Sequence, residues 1–333
     1  MGEPTDERWM AAAVDAAAGV RATAHPNPWV GCAIVAGDQL VALGATRPPG
    51  QAHAEVDALE RAGDAARGAT AYVTLEPCSH HGRTGPCADA LVHAGVARVV
   101  VAVTDPDPRV SGEGIERLRS AGITVDVGPG AGLVDRQLAP YLHHRRTGRP
   151  YVVLKLAATL DGRTAAPDGS SRWITGSEAR ADVHRLRAES DSVVVGAGTV
   201  RADDPRLDVR DAEGPDPERI VLGVAPAGAN VHPCTEWRGP LDDLLDDLGR
   251  RGHVQTLVEG GAGVAASLHA GGHVDRYVLY LAPALLGGDD GRGLFAGAGA
   301  ATISDAWRGR IDAVTTLGDD LRIDLVPRPE GTP

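Results

Sequence analysis

Lysine is almost absent from this 333-residue chain: of its 33 basic residues, only Lys155 is not arginine. Asparagine occurs only at Asn27 and Asn230, and aromatic residues make up 3% of the sequence. With so few rings, the interior has to be packed from alanine, valine and leucine. The heavy use of Ala, Gly and Arg reads as a coding bias, so departures from it carry information. A solitary Lys or Asn marks a place where Arg or Asp would not serve; Asn230, in a Gly-containing turn, is the weaker of these signals. Four cysteines (Cys32, Cys78, Cys87 and Cys234) are too few and too unevenly spaced for a disulfide framework. They imply a reducing, cytoplasmic setting with thiols free or on a metal. No apolar run reaches the roughly 18 residues of a membrane span, and the first ten residues are too polar for a secretory leader. The net charge of −12 disfavours nucleic acid and anionic membranes as partners. Any phosphate-bearing ligand must then be met by a local cluster of Arg, Lys or backbone N–H groups.

The length suits two domains, each burying its own core. Short β-type runs alternate with amphipathic stretches, an α/β pattern with helices covering a sheet. In the first half, strands are expected at 30–35, 40–44, 71–75, 96–103 and 123–127. Helices are expected at 6–20, 53–62, 87–93, 114–120 and 134–142, most closed by a nearby glycine. Residues 143–150, HHRRTGRP, read as a polar junction, giving domains at 1–146 and 150–328. In the second half, strands are expected at 151–156, 192–195, 219–223, 256–258, 276–281 and 321–326, with helices at 177–188, 241–248 and 263–269.

Chemistry concentrates first at His53-Ala-Glu55, Glu76-Pro-Cys78 and Pro86-Cys87. A catalytic zinc takes three N and S ligands and keeps one position for water, whose pKa it lowers. His53, Cys78 and Cys87 supply such a set. Glu55 is the carboxylate that moves protons without binding the metal, as hydrolytic removal of a ring amine requires. Pro86 suits a helix start, and a cysteine there is favoured as thiolate. Taken singly, each of these residues is more often an ordinary core or turn residue; their joint order is the signal. The eight residues between the cysteines depart from the two of the general zinc-deaminase pattern.

Residues 74–87, TLEPCSHHGRTGPC, together with Asn27-Pro-Trp-Val-Gly-Cys32 and His53-Ala-Glu-Val56, resemble the RibD family of bifunctional riboflavin-biosynthesis deaminase/reductases. The resemblance implies a cytidine-deaminase-like three-layer α/β/α domain first. It implies substrate contacts at Asn27, His80 and Arg83, with Asp105 and Asp107 near the ribose. Gly85 replaces a proline usual in the family, and Thr46 stands where some members carry a pocket histidine.

The second half carries Lys155 to Asp161, Ser171-Arg-Trp173, Arg187, a Val-Gly-Ala-Gly-Thr199 turn followed by Asp203, and Glu259-Gly-Gly-Ala-Gly263. Two of these are strand–glycine–helix junctions, which suit close approach of a phosphate to backbone N–H groups. In this order they resemble the reductase half of the same family, which is similar in fold to dihydrofolate reductase. The resemblance implies NADPH contacts at Ala157, Trp173, Thr199, Asp203 and the run Gly261, Ala262, Gly263, Val264, Ala265, Ala266 and Ser267. It implies substrate contacts at Ser171, Arg187, Leu207, Arg210 and Glu259. Lys155 and Asp161 are candidates beside the reacting sugar carbon, where a flexible ammonium can polarise an oxygen or nitrogen. Only 48 residues separate Arg210 from Glu259, a short span for the family.

The expected function is bifunctional. Zinc hydrolysis would remove the 2-amino group of 2,5-diamino-6-ribosylamino-4(3H)-pyrimidinone 5′-phosphate, and NADPH would then reduce the ribosyl chain. The expected partner is that small phosphorylated pyrimidine, within a homo-oligomer. Three alternatives make distinct demands. A deaminase with a degenerate reductase lobe would not oxidise NADPH. A nucleic-acid editor would need a basic, aromatic groove. A structural zinc site would need a fourth ligand, for which Cys32 is the candidate.

Overall fold

The computed structural model describes residues 4–80 and 85–328. The chain divides into two compact units, Met1–Gly148 and Arg149–Pro333.

The first unit runs α1 (Pro4–Ala18), α2 (Arg21–Ala24), β1 (Gly31–Ala36), β2 (Gln39–Ala45), α3 (Ala54–Ala62), β3 (Thr70–Leu75), α4 (Cys87–Ala94), β4 (Arg98–Val103), α5 (Glu113–Ser120), β5 (Thr124–Val127), α6 (Ala131–Gln137) and α7 (Ala139–Thr147). The strand order is β2-β1-β3-β4-β5, with β1 antiparallel to both neighbours and β3, β4 and β5 parallel. Two glycines show why helices cover both faces. A β-carbon on Gly31 would sit 1.8 Å from the Ala13 carbonyl oxygen of α1, and one on Gly44 would sit 2.3 Å from the Ala54 carbonyl oxygen of α3. Gly44 pairs with Cys32, so it shares a face with Cys32 and not with Gly31. Hence α1 and α3 lie on opposite faces, making three layers.

The topology gathers one end of this sheet. β3 and β4 are parallel, so residues after Leu75 and after Val103 emerge together. β1 is antiparallel, so the residues before Gly31 reach the same end, as does Thr46 beyond β2. All the motifs singled out in this half lie at that end.

The second unit runs β6 (Tyr151–Thr159), β7 (Arg163–Ala165), α8 (Ser177–Ala188), β8 (Ser192–Gly196), α9 (Ala197–Asp203), β9 (Glu218–Leu222), β10 (Thr235–Trp237), α10 (Leu241–Arg250), β11 (Gln255–Val258), α11 (Ala262–Ala270), β12 (Arg276–Ala282), β13 (Arg292–Gly293), β14 (Gly309–Leu317) and β15 (Asp320–Pro327). Eight strands follow the order β10-β9-β8-β11-β6-β12-β15-β14, and β7 with β13 forms a separate ribbon. The strands from β10 to β12 are parallel; β15 and β14 are antiparallel additions. The core is aliphatic as expected, with Leu154, Leu248 and Ile220 fully enclosed and Leu244, Leu245 and Leu248 forming the buried stripe of α10. A charged network occupies the sheet beneath α8. The Tyr280 hydroxyl donates to Asp182 at 2.6 Å, and Arg322 bridges Asp182 to Asp324 at 2.7 and 2.9 Å.

Three expectations are revised. The HHRRT segment is not a linker but the end of α7, with Tyr141, Leu142 and His144 buried and Gly148 closing it in a left-handed conformation. The expected helix at 134–142 is two helices, because Pro140 opens the second. The nine-residue strand β14 was not expected at all. It is the outermost strand of its sheet and mostly exposed, so it lacks the apolar alternation that marks a half-buried strand.

Candidate active sites

His53, Cys78 and Cys87 converge, their ligand atoms all within 4.8 Å of one another. His53 precedes the first turn of α3, Cys78 follows β3, and Cys87 opens α4. The His53 Nδ1 atom lies 3.7 Å from Cys78 Sγ and 3.3 Å from Cys87 Sγ. Ligand bond lengths near 2.0 and 2.3 Å in a tetrahedron put N and S atoms about 3.6 Å apart, so the donor set fits zinc. Cys32 is buried in β1 and is not part of this group. Among the described residues, therefore, the fourth ligand of a closed structural site is missing.

The start of α4 faces Cys78. The Cys87 N–H donates to Cys78 Sγ at 3.4 Å and the Ala88 N–H to the Cys78 carbonyl at 3.1 Å. The Cys87 side chain, then His53 and that backbone N–H, bring the Cys78 thiol below its ordinary range. Glu55 is 3% exposed, lies outside the ligand group, and is pushed up to about 7 by burial and then by the Cys78 charge. A carboxyl of that kind can take and return a proton near neutrality.

The residues expected at the substrate are placed unevenly. Asn27 is half-buried in the loop before β1. Thr46 anchors that loop: its hydroxyl accepts from the Val30 N–H and donates to the Pro28 carbonyl, both at 3.0 Å. His80 is exposed, and Arg83 lies outside the described residues. A β-carbon at Gly85 would meet nothing within 4 Å, so this position has room for the proline it replaces. Asp105 and Asp107 are at the right end of the sheet but spend their carboxylates internally. Asp105 accepts from the Tyr141 hydroxyl at 3.0 Å. Asp107 binds Arg109 at 2.6 and 3.0 Å, which holds it down at about 2.

In the second unit Asp161, Thr199 and Glu259 follow the C-terminal ends of β6, β8 and β11, while Lys155 and Ala157 lie within β6. The two glycine junctions abut, since a β-carbon on Gly261 would lie 3.3 Å from Thr199 Oγ1. Gly198 and Gly263 are exposed, with open space where side chains would be, which suits close approach by a phosphate-bearing cofactor. Ala265 is different: it has no exposed surface and packs into the core, so the run from Gly261 to Ser267 cannot all touch a ligand. Leu207 is likewise buried at 3% exposure, with φ 54°. Arg210 is exposed, and Ser171 is half-buried. Trp173 is 71% exposed, with the Arg180 guanidinium 4.7 Å from its ring centre. Arg172 donates to the carbonyl of Asp203.

Arg187 and Glu259 face each other in a two-pronged pair at 2.6 and 2.9 Å. Burial pushes Glu259 up, but the Arg187 charge and hydrogen bond, then Lys155, bring it below the usual range. Lys155, midway along β6, is lowered by burial, against the pull of Glu259. It belongs to this buried cluster and is not a surface charge at a strand end. Asp161 instead accepts from the Gly287 N–H at 2.8 Å, the Leu286 N–H at 3.3 Å and the Thr159 hydroxyl. Its carboxylate clamps the turn after β12.

Two residues with structural consequence were undervalued in the sequence. Asn230 grips Asp204 through its N–H and its side chain at 2.8 and 2.7 Å, fixing a left-handed residue at the end of α9. Glu76 received no role, although its place beside Pro77-Cys78 was the available signal.

Comparison with known proteins agrees with this geometry. Residues 3–103 match the cytidine and deoxycytidylate deaminase zinc-binding region, and residues 150–323 match the RibD C-terminal domain. The riboflavin biosynthesis protein RibD of Escherichia coli is 41% identical, over 96% of this chain and 99% of its own. The solved structure of Acinetobacter baumannii RibD is 40% identical with a TM-score of 0.89, over 98% of this chain and 99% of that one. The Thermotoga maritima diaminohydroxyphosphoribosylaminopyrimidine deaminase/5-amino-6-(5-phosphoribosylamino)uracil reductase is 30% identical with a TM-score of 0.87, over 97% and 99% of the two chains. The first unit thus has the cytidine-deaminase-like fold and the second the dihydrofolate-reductase-like fold. The chain belongs to the RibD family, the bifunctional deaminase/reductases of riboflavin biosynthesis, with both halves present.

Proposed function

We propose that the two sites catalyse consecutive steps on one phosphorylated pyrimidine, with the residues in the following roles. The deaminase site takes 2,5-diamino-6-ribosylamino-4(3H)-pyrimidinone 5′-phosphate, with His53, Cys78 and Cys87 as the zinc-holding residues. Zinc, when bound there, supplies a water activated at neutral pH. Glu55 accepts a proton from the attacking water and delivers it to the ring nitrogen, then carries the proton of the newly added hydroxyl to the departing ammonia. Asn27 and His80 contact the substrate, as the family resemblance also implies for Arg83, which lies outside the described residues. The reductase site takes the deaminated product, and NADPH supplies the hydride that gives 5-amino-6-ribitylamino-uracil 5′-phosphate. Thr199 and the exposed glycines 261 and 263 receive the cofactor. Lys155 directs its ammonium at the sugar, with Arg187 and Glu259 fixing the substrate beside it.

The observation that carries this reading is the convergence of His53, Cys78 and Cys87, with the buried Glu55 outside that group. Metal analysis and assay of both half-reactions on one preparation test it. One zinc per chain, ammonia release from the diamino substrate and NADPH oxidation with its product are expected. Absence of NADPH oxidation would favour the deaminase-only alternative. The two units would correspond to functional domains at 1–146 and 150–328, working in the cytoplasm. Among the described residues no helix is long and apolar enough to cross a membrane. We also propose self-association through β14, an outermost strand on which Ile311 and Val314 are each 57% exposed. A monomeric mass in solution would overturn that part.

A further inference from the structure

Glu76 sits two residues before Cys78, just after β3, and its carboxylate accepts four backbone N–H groups. Oε1 accepts from the N–H groups of Gly114 and Ile115 at 3.0 and 3.3 Å. Oε2 accepts from Gly112 at 2.9 Å and from Asp105 at 3.3 Å. Three of these donors belong to the first turn of α5 and its approach, groups that no helical partner can satisfy. A carboxylate there also meets the positive end of the helix. The fit is close on the backbone side as well, since a β-carbon on Gly114 would sit 1.9 Å from the Pro77 carbonyl oxygen.

The fourth donor gives the arrangement its meaning. Asp105 opens the turn after β4, and its own carboxylate receives the Asp107 N–H at 2.9 Å. One side chain therefore ties together three pieces: the strand end carrying Cys78, the start of α5, and the turn of Asp105 and Asp107. Ser79 adds a second tether, donating to Glu113 of α5 at 3.2 Å.

We propose that Glu76 is a positioning residue that sets the Cys78 ligand and the Asp105–Asp107 turn in register, coupling metal retention to substrate binding. It touches neither zinc nor substrate. A glutamine in its place keeps the shape but turns an NH₂ group toward one pair of N–H donors, so two of the four contacts become repulsive. The proposal rests on Cys78 being a zinc ligand and on the Asp105–Asp107 turn bordering the substrate through groups other than the carboxylates it spends internally. The zinc content of the unmodified protein tests the first assignment alone, and the comparison between variants tests Glu76.

The experiment compares full-length protein with Glu76→Gln, Glu76→Asp and, as control, Glu116→Gln, an exposed carboxylate of the same helix paired with Arg119. Zinc release to a chelator and the separate KM and kcat of both half-reactions are measured. Glu76→Gln should release zinc at least about tenfold faster and raise KM for the diamino substrate about tenfold, with reduction unchanged. Glu76→Asp, charged but one methylene short, should fall between, and Glu116→Gln should match the parent. Zinc release and KM within about twofold of the parent in Glu76→Gln would overturn the proposal. If Glu76→Gln fails to fold, Glu76→Asp decides: parental zinc release and KM there would also overturn it.

Discussion

Buried charges decide the chemistry at the scale of single residues. Glu55→Gln keeps the ligand set and removes the proton carrier. Zinc content should remain one per chain, deamination should fall by about a thousandfold or more, and reduction should persist. Loss of zinc in this variant would make Glu55 a ligand. Lys155→Arg should slow reduction by at least about tenfold and leave deamination intact, because a rigid guanidinium fork cannot occupy the ammonium's place beside Glu259. Near-parental reduction would remove Lys155 from the site. Asp275 offers a test by pH. It accepts the Val152 N–H at 2.8 Å, and burial pushes it up to about 6. Its folded value lies above its unfolded one, so the protonated form favours the fold. That contribution is complete below about pH 4 and is lost as pH rises through about 6. Asp275→Asn keeps an acceptor and removes the loss, a relative gain on the order of 2–3 kcal/mol near neutrality. Denaturant unfolding at about pH 5 and about pH 7 should show the variant's advantage growing with pH; an equal difference at both would refute the assignment.

Elements place these residues, and here the sequence was informative in the interior and poor at the edges. β4 and β8 were legible because buried parallel strands read as near-continuous apolar runs, here of valine. The end of α3 was legible from Gly63, which closes it. β14 was not, because an exposed edge strand has no buried face to advertise. The zinc ligands were legible because the His-x-Glu and Pro-Cys elements stand together in the expected order. The Glu76 and Asp161 clamps were not, since each serves backbone N–H groups far away in sequence and no local pattern records such a partner. One close approach tests the scaffold directly. Gly44→Ala places a β-carbon 2.3 Å from the Ala54 carbonyl oxygen and 2.4 Å from the Ala58 nitrogen. Something must move, and α3 carries Glu55 and follows His53. The variant should lose about 1–3 kcal/mol in the first unit, with lower zinc content and unchanged reduction. Thermal unfolding with metal analysis checks it.

For the whole molecule, two units with separate cores predict separable failure. A zinc chelator should abolish deamination and lower the unfolding temperature of the first unit, while NADPH oxidation with the deaminated substrate continues. Simultaneous loss of both activities would contradict independent sites. The molecule also has a property that follows from a scarcity. Lys155 is its only lysine, and its ammonium feels the charges of Glu259, Arg187 and Asp203 in the second unit. An amine-acylating reagent therefore meets a single ε-amino group in the chain, besides the terminal α-amino group, and we propose that it lies in the reductase site. Ordinary labelling chemistry then offers one internal position: if Lys155 lines the cofactor site, the mass added to its peptide should fall in the presence of NADPH.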